Sequence, residues 1–264
     1  MLALHNQKSP NRFILAYHKT KLSNDKTPKC KLKSMSGSDT AKSGIQAEDI
    51  FRTNKNIRHS LVDFFEKPIW KIVKAPHRSK SDNIIYFADG TQVNIQNKKI
   101  INICGRGDSF DRRHISKTFK NQFIRKYLTL LTLARPTKRT TRMTKIQKQD
   151  FINLCNQNIE DIKQYLKKTL IGEKNKNDYW VIMKTNQTFS TINLYIIPSK
   201  VLYNVIEKSI HIDIRLRTTG TCLHISQYIA LQRKGGSNTD QSPNHIQAKL
   251  KITNELLDIC LQIL

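Results

Sequence analysis

From residue 43 onward the apolar positions first recur at helical spacing. Ala47, Ile50 and Phe51, with Ile45, share one side of GIQAEDIFRT, Ser43 stands where an N-cap would, and Glu48 and Asp49 occupy the early turns. A second short helix is predicted over 57–65, with Leu61, Phe64 and Phe65 inward, and Pro68 blocks its continuation. The period then shortens to two. Residues 68–73 read as a strand, and 83–87 with 92–96 read as a hairpin around Ala88-Asp89-Gly90-Thr91, since Asp-Gly between alternating apolar runs favours a tight turn. Ile84 and Tyr86 alternate with Ile85 and Phe87, so this strand is expected to be covered on both faces. Val93 and Ile95 alternate with Gln92, Asn94 and Gln96, which leaves the return strand one polar face.

Past the hairpin, residues 105–114 read as a loop rich in arginine and aspartate, followed by an amphipathic helix over 117–133 that Pro136 ends. A basic turn covers 135–145. The next helix spans 148–170, with Phe151, Leu154, Ile159, Ile162, Tyr165, Leu166 and Leu170 at helical spacing. Strands are then predicted over 179–184, 189–197, 210–217 and 222–232, with a helix over 198–207 and a closing helix over 254–264. Residues 1–42 show little periodicity, and 36–43 are nearly all small and polar, so they read as a basic, disordered arm. Residues 43–264 then form a single domain, with a core over about 43–133 and a strand-rich part over about 177–264. The expected class is α/β, a mixed β-sheet flanked by helices.

Charge narrows the function. The 264 residues carry 46 Lys+Arg against 20 Asp+Glu, a net charge of +26, and the natural partner of such a surface is a polyanion. Lys, Asn and Ile enrichment suits an AT-rich coding sequence, yet the acidic residues have not risen with the lysines. Cys30, Cys104, Cys155, Cys222 and Cys260 lie far apart, in no CxxC pair. An odd count without a secretion signal points to reduced thiols in an intracellular, cytoplasmic compartment. Only His224 lies close to a cysteine, so no zinc site is legible. No run approaches the about 20 apolar residues of a membrane span, and no membrane partner is expected.

The chemistry concentrates in KSDNIIYFADGTQVNIQNKK, residues 80–99. Asp82 opens one strand of the hairpin and Gln96-x-Lys98 closes the other, so a carboxylate, a second polar ligand and a lysine converge on one end. Phosphodiester hydrolysis needs such a set: charge develops on phosphate oxygens, and a cation with a nearby ammonium group offsets it. Register makes a sharp demand. A two-residue turn at Asp89-Gly90 would set Asp82 opposite Asn97 and send Gln96 and Lys98 to the other face. A three-residue loop with Gly90 left-handed brings the three together.

A helical Glu, a strand Asp, a turn and an (acid or amide)-x-Lys step together resemble the PD-(D/E)xK nucleases, typified by type II restriction endonucleases. The resemblance spans roughly residues 43–133 and rests on motifs. It implies a restriction-endonuclease-like core, Mg2+ as cofactor, and catalytic roles for Asp82, Gln96, Lys98 and Glu48, of which Asp82, Gln96 and Glu48 would hold the metal. Ser81 stands where the family often has proline. Gln96 stands where an acid is usual, and an amide oxygen binds a hard cation without adding charge. The resemblance further implies sequence-specific cleavage of double-stranded DNA by a homodimer, with the 117–133 helix or the closing helix, through Leu257 and Leu261, as contact.

Two basic segments are candidates for DNA contact. Arg106, Arg112 and Arg113 could fork onto phosphates or guanine edges; Gln232, Arg233 and Lys234, with Gln247 beyond a glycine loop, suit groove contacts. His114 reads as a capping or surface histidine, with a general base as the alternative. Arg106-Gly107-Asp108 matches an adhesion tripeptide by chance in a basic, thiol-bearing chain. The rival readings are a non-catalytic basic nucleic-acid-binding protein and a repair or recombination nuclease of the same fold.

Overall fold

The structure is a computed structural model that describes residues 37–77, 79–101, 107–132, 143–173, 176–217, 220–234 and 244–264. Within the stretch read as one domain it forms two compact units. The first draws on Met1–Cys104, Glu173–Val201 and Thr253–Leu264, the second on Gly105–Gly172 and Leu202–Ile252.

The first unit opens with helix α1 (Gly37–Thr53) and helix α2 (Lys55–Phe65). Helix α1 therefore begins inside the stretch expected to be an arm, and the remainder of that arm, 1–36, lies outside the described residues. Ser43 is not a cap: its hydroxyl accepts a hydrogen bond from Lys99 Nζ in mid-helix. Asn54 caps α2, its Oδ1 accepting from Asn56 N at 2.9 Å and Ile57 N at 3.1 Å, and Glu66 ends it in the left-handed region two residues before Pro68.

Strands β1 (Ile69–Lys74), β2 (Asn83–Phe87) and β3 (Gln92–Ile100) follow as an antiparallel meander. Strand β5 (Tyr179–Thr185) joins β3 in parallel, and β6 (Ile192–Pro198) and β11 (Leu261–Gln262) extend the sheet antiparallel, in the order β1-β2-β3-β5-β6-β11. This is the expected mixed sheet. Alternate strand residues, Ile85 and Phe87, Ile95, Val181 and Met183, Leu194 and Ile196, meet Ala47, Phe51, Ile57 and Leu61 of the helices in one core. The opposite sheet face is the one available to polar groups at positions 96 and 98.

The second unit is built on an antiparallel sheet ordered β4-β10-β9-β8-β7: β4 (Gly107–His114), β7 (Ile210–Arg217), β8 (Gly220–Ser226), β9 (Ile229–Lys234) and β10 (His245–Lys251). Its helices are α3 (Gln122–Thr129), α4 (Lys145–Gln157) and α5 (Ile159–Leu170), while α6 (Ser199–Lys208) spans the boundary and α7 (Asn254–Ile259) belongs to the first unit.

Several predicted elements change here. Residues 107–114, expected as loop, form β4, because Phe110 is buried and the ladder to β10 takes the polar residues around it. The helix over 117–133 shrinks to a 3-10 turn (Ile115–Lys117) and α3. The Asp161 carboxylate accepts from Lys120 N and Asn121 N at 2.9 and 2.8 Å, breaking the helix, and Asn121 restarts it by capping Phe123 N and Ile124 N. The helix over 148–170 divides at Asn158, whose Nδ2 donates to Leu154 O at 2.8 Å. The strand over 222–232 divides where Ser226 Oγ accepts from Tyr228 N and Ile229 N. The 189–197 strand starts only at Ile192, since Phe189 lies in a turn at φ 59°. The closing helix stops at Ile259 and the chain returns to the sheet as β11. Of the two leucines offered above for a dimer contact, Leu257 is buried within its own unit and Leu261 is half-buried on β11.

The hairpin loop carries a direct test. Gly90 has φ 80° with open space around its Cα, so only backbone strain opposes a side chain there. Gly90→Ala should lower unfolding stability by about 1–2 kcal/mol in urea titration, the cost of an L-residue in the left-handed region. An unchanged midpoint would mean that the loop relaxes freely.

Candidate active site

Strands β2 and β3 pair as Asn83↔Ile95, Ile84↔Asn94, Ile85↔Val93 and Tyr86↔Gln92. This is one residue off the register of a two-residue turn. The loop is Ala88-Asp89-Gly90, closed by Phe87 N donating to Thr91 O at 2.9 Å, with Gly90 left-handed. The required odd loop is therefore present, and it brings Asp82 beside Gln96.

Contact between them is direct. Gln96 Nε2 and Asn97 N, the latter at 2.8 Å, both donate to Asp82 Oδ2, and Asp82 N donates to Ile95 O at 2.9 Å. Gln96 is buried, while Asp82 and Lys98 are half-buried. Residues 96 and 98 share a sheet face by the two-residue repeat.

Glu48 joins from α1. Burial raises its carboxyl above the ordinary value of 4.5, and the nearby Asp82 charge raises it further, while Arg52, Lys74 and Lys98 act in the opposite sense. Those influences place Glu48, Asp82, Lys98, Arg52 and Lys74 in one electrostatic neighbourhood. Arg52 Nη1 donates to Asn83 Oδ1 at 2.7 Å and its other terminal nitrogen to Asp49, so the guanidinium ties α1 to the start of β2. Arg52, Lys74, Asn83 and Asn97 were not selected from the sequence. Arg52 carried a usable signal, being four residues after Glu48 on a helix, and Asn83 and Asn97 flank motif residues.

The chemistry of the donors on Glu48, Asp82 and Gln96 suits a hydrated divalent ion. Two carboxylates and an amide oxygen are hard ligands, and Mg2+ is commonly held by one or two carboxylates with several waters retained. Around Asp82 the side chains of Ser81, Asn83 and Asn97 bury Oγ, Nδ2, and both Nδ2 and Oδ1, respectively, without a protein partner. Buried polar atoms in that state call for water or an ion. Among the described residues no cluster of three or more His, Cys, Asp or Glu side chains occurs, so the amides are needed to complete a set.

The proposed DNA-contacting residues separate by sheet face. Gln247 lies opposite both Arg112 and Gln232, so those three form one row across β4, β10 and β9. His245 lies opposite His114 and Lys234 in the next row of the same face. Ile246, which is buried, lies opposite Arg113 and Arg233, and both arginines are engaged within the fold. Arg113 forks onto Asp111 through two 2.7 Å hydrogen bonds. Arg233 donates to Thr129 O and, at 3.3 Å, to Asn244 Oδ1. Both guanidinium groups therefore brace their own unit. Arg106 lies outside the described residues. His114 caps the 3-10 turn, accepting from Ser116 N, in line with the capping reading.

Comparison with known proteins adds a likeness of shape. No family model matches the chain, and no curated protein matches it. Among solved structures, a chain of the restriction endonuclease MspI in complex with its cognate DNA aligns with a TM-score of 0.49 and 14% identity, covering 81% of this chain and 91% of that one. Among the described residues no helix is long and apolar enough to cross a membrane.

Two substitutions probe these assignments. Because folding raises the Glu48 pKa, ionisation costs the native state more than the unfolded chain. The penalty is complete above the raised value and absent below 4.5. Glu48→Gln should therefore raise the melting temperature at alkaline pH and leave it unchanged in acid; a uniform shift would place Glu48 in an unperturbed site. Arg233→Ala should cost about 1–3 kcal/mol of stability, since it orphans a part-buried carbonyl, whereas a solvent-facing arginine would leave the denaturation curve in place.

Proposed function

We propose that this chain is a Mg2+-dependent endonuclease that hydrolyses phosphodiester bonds of double-stranded DNA, acting at specific sequences as a type II restriction enzyme. The observation that carries the reading is the bulged hairpin, which sets Asp82 against Gln96, two residues before Lys98, with Glu48 in the same electrostatic neighbourhood. The net charge of +26 supports a nucleic-acid substrate.

Asp82 Oδ1, Glu48 and the Gln96 carbonyl would hold the ion. When bound, Mg2+ neutralises charge on the non-bridging phosphate oxygens and on the leaving 3′ oxygen. The chain's own contribution is positional. Gln96 Nε2 and Asn97 N anchor Asp82 Oδ2, so its carboxylate orientation is set before substrate arrives. Lys98 Nζ brings a positive charge to the attacking water and lowers the cost of removing its proton. Arg52 holds the end of α1, one turn after Glu48, against Asn83 at the start of β2. Arg112 and Gln247, paired on β4 and β10, offer a guanidinium and an amide that suit guanine and adenine edges, while Gln232 in the same row is buried. Two copies acting on a palindromic site would follow from a restriction activity.

Gln96 in place of an acid supports the rival reading of a basic nucleic-acid-binding protein without catalysis. A plasmid nicking assay with Mg2+ separates the two. Wild type should nick, and Asp82→Ala and Lys98→Ala should each lose on the order of 100-fold in rate or more. Duplex affinity without divalent cations should stay within a few-fold, since one charge among many contributes little. Discrete fragments would favour restriction over repair. Nicking by Asp82→Ala at the wild-type rate would overturn the site.

A further inference from the structure

At the carboxyl ends of the parallel strands β3 and β5, the first unit has an open cleft of about 460 Å³, lined by Lys184, Asn186, Gln187, Thr191 and Asn193 with Ile101 at its side. No carboxylate lines it. The register relates it to the site above. Lys98 lies opposite Ile182, Lys184 follows two residues later on β5, and Asn193 of β6 lies opposite Lys184. Paired neighbours and i, i+2 residues share a face, so Gln96, Lys98, Lys184 and Asn193 form a diagonal polar track across three strands. Two residues along a strand and one strand across put the Lys98 and Lys184 backbones roughly 8 Å apart.

The cleft wall is shaped by its own bonds. Thr185 Oγ1 donates to Thr191 O at 2.7 Å, and Ser190 N donates to Asn186 Oδ1 at 3.0 Å, which folds the β5–β6 turn back on itself. Phe189 enters the core from that turn at φ 59°, with Lys99 Nζ over its ring at 4.7 Å. Asn193 Oδ1 accepts from Gln262 Nε2 at 3.3 Å, so its amide nitrogen is the end left to a ligand. The cleft thus offers an ammonium group and amide and hydroxyl donors, the set that binds a phosphate oxygen.

We propose that this cleft holds a backbone phosphate of the nucleic-acid strand being cut, next to the one at Lys98, an assignment that rests on the nuclease reading. Lys184 carries the charge, and Asn193 and Gln187 supply neutral donors. The cleft therefore sets how the strand runs past Lys98, and it is a positioning site without base preference.

The test compares wild type, Lys184→Gln, Lys184→Arg and, as a control on α6, Lys200→Gln. Binding to a mixed-sequence duplex is followed across a salt series without divalent cations, and cleavage is followed with Mg2+. Lys184→Gln should make the salt dependence of log K shallower by about one and slow cleavage several-fold. Lys184→Arg should restore both, and Lys200→Gln should change neither. Equal salt slopes for wild type and Lys184→Gln, or an equal loss in Lys200→Gln, would overturn the cleft assignment while wild-type cleavage still upheld the nuclease. A wild type that binds without cleaving, with the Lys184 slope change intact, would remove the nuclease and keep the phosphate site.

Discussion

The length of one loop decides which side chains this protein can use together. Ala88-Asp89-Gly90 contains one residue more than a two-residue turn, and Gly90 at φ 80° absorbs it. A strand has a two-residue repeat, so a slip of one would exchange the buried row of Ile95 for the polar row of Gln96 and Lys98. The loop is stiffened from outside. Asp89 accepts from Thr91 N at 2.9 Å and from Lys67 Nζ at 2.6 Å, contacts that hold its carboxyl well below the usual carboxylate range. Groups at the far end of the hairpin thus govern geometry at Asp82.

Charge at the site is arranged as opposing pulls. Glu48 and Asp82 repel, and burial disfavours an ionised Glu48, while Arg52, Lys74 and Lys98 pull it back. Such a balance leaves the Glu48 carboxyl harder to ionise than a free glutamate. Asn83 Nδ2 and both polar atoms of the Asn97 amide lie buried without a protein partner on the strands beside Asp82.

Much of this was legible in the chain itself. Alternation and the Asp-Gly signal located β2 and β3, and the register requirement at Gly90 followed from counting residues. The order helix Glu, strand Asp, Gln-x-Lys singled out Asp82 and Gln96, which touch in the structure. What escaped depended on distant partners. Polar residues 107–114 become a strand because β10, more than a hundred positions later, supplies the ladder. The helical pattern over 148–170 carries no local sign of the bend at Asn158, and Asp161 breaks the preceding helix from about forty residues away. Arg113 resembles exposed Arg112 in composition, and strand phase sets it, with Arg233, in the row of buried Ile246.

The parallel pairing of β3 with β5 bears on how the molecule is made. Asp178 latches the pair, its Oδ2 accepting from Asn94 N at 2.8 Å and Asn94 Nδ2 at 3.0 Å across 84 residues of sequence. Everything between those partners belongs largely to the second unit, which itself awaits strands up to Ile252. On a ribosome the hairpin with Asp82 and Lys98 emerges early, yet its sheet stays open at β3 until Tyr179 arrives. The ladder therefore closes late, as a long-range contact with a high loop-closure cost, the kind of contact that slows folding. Until then, the exposed flank of β3 is an unpaired edge that a nascent chain must keep from other strands.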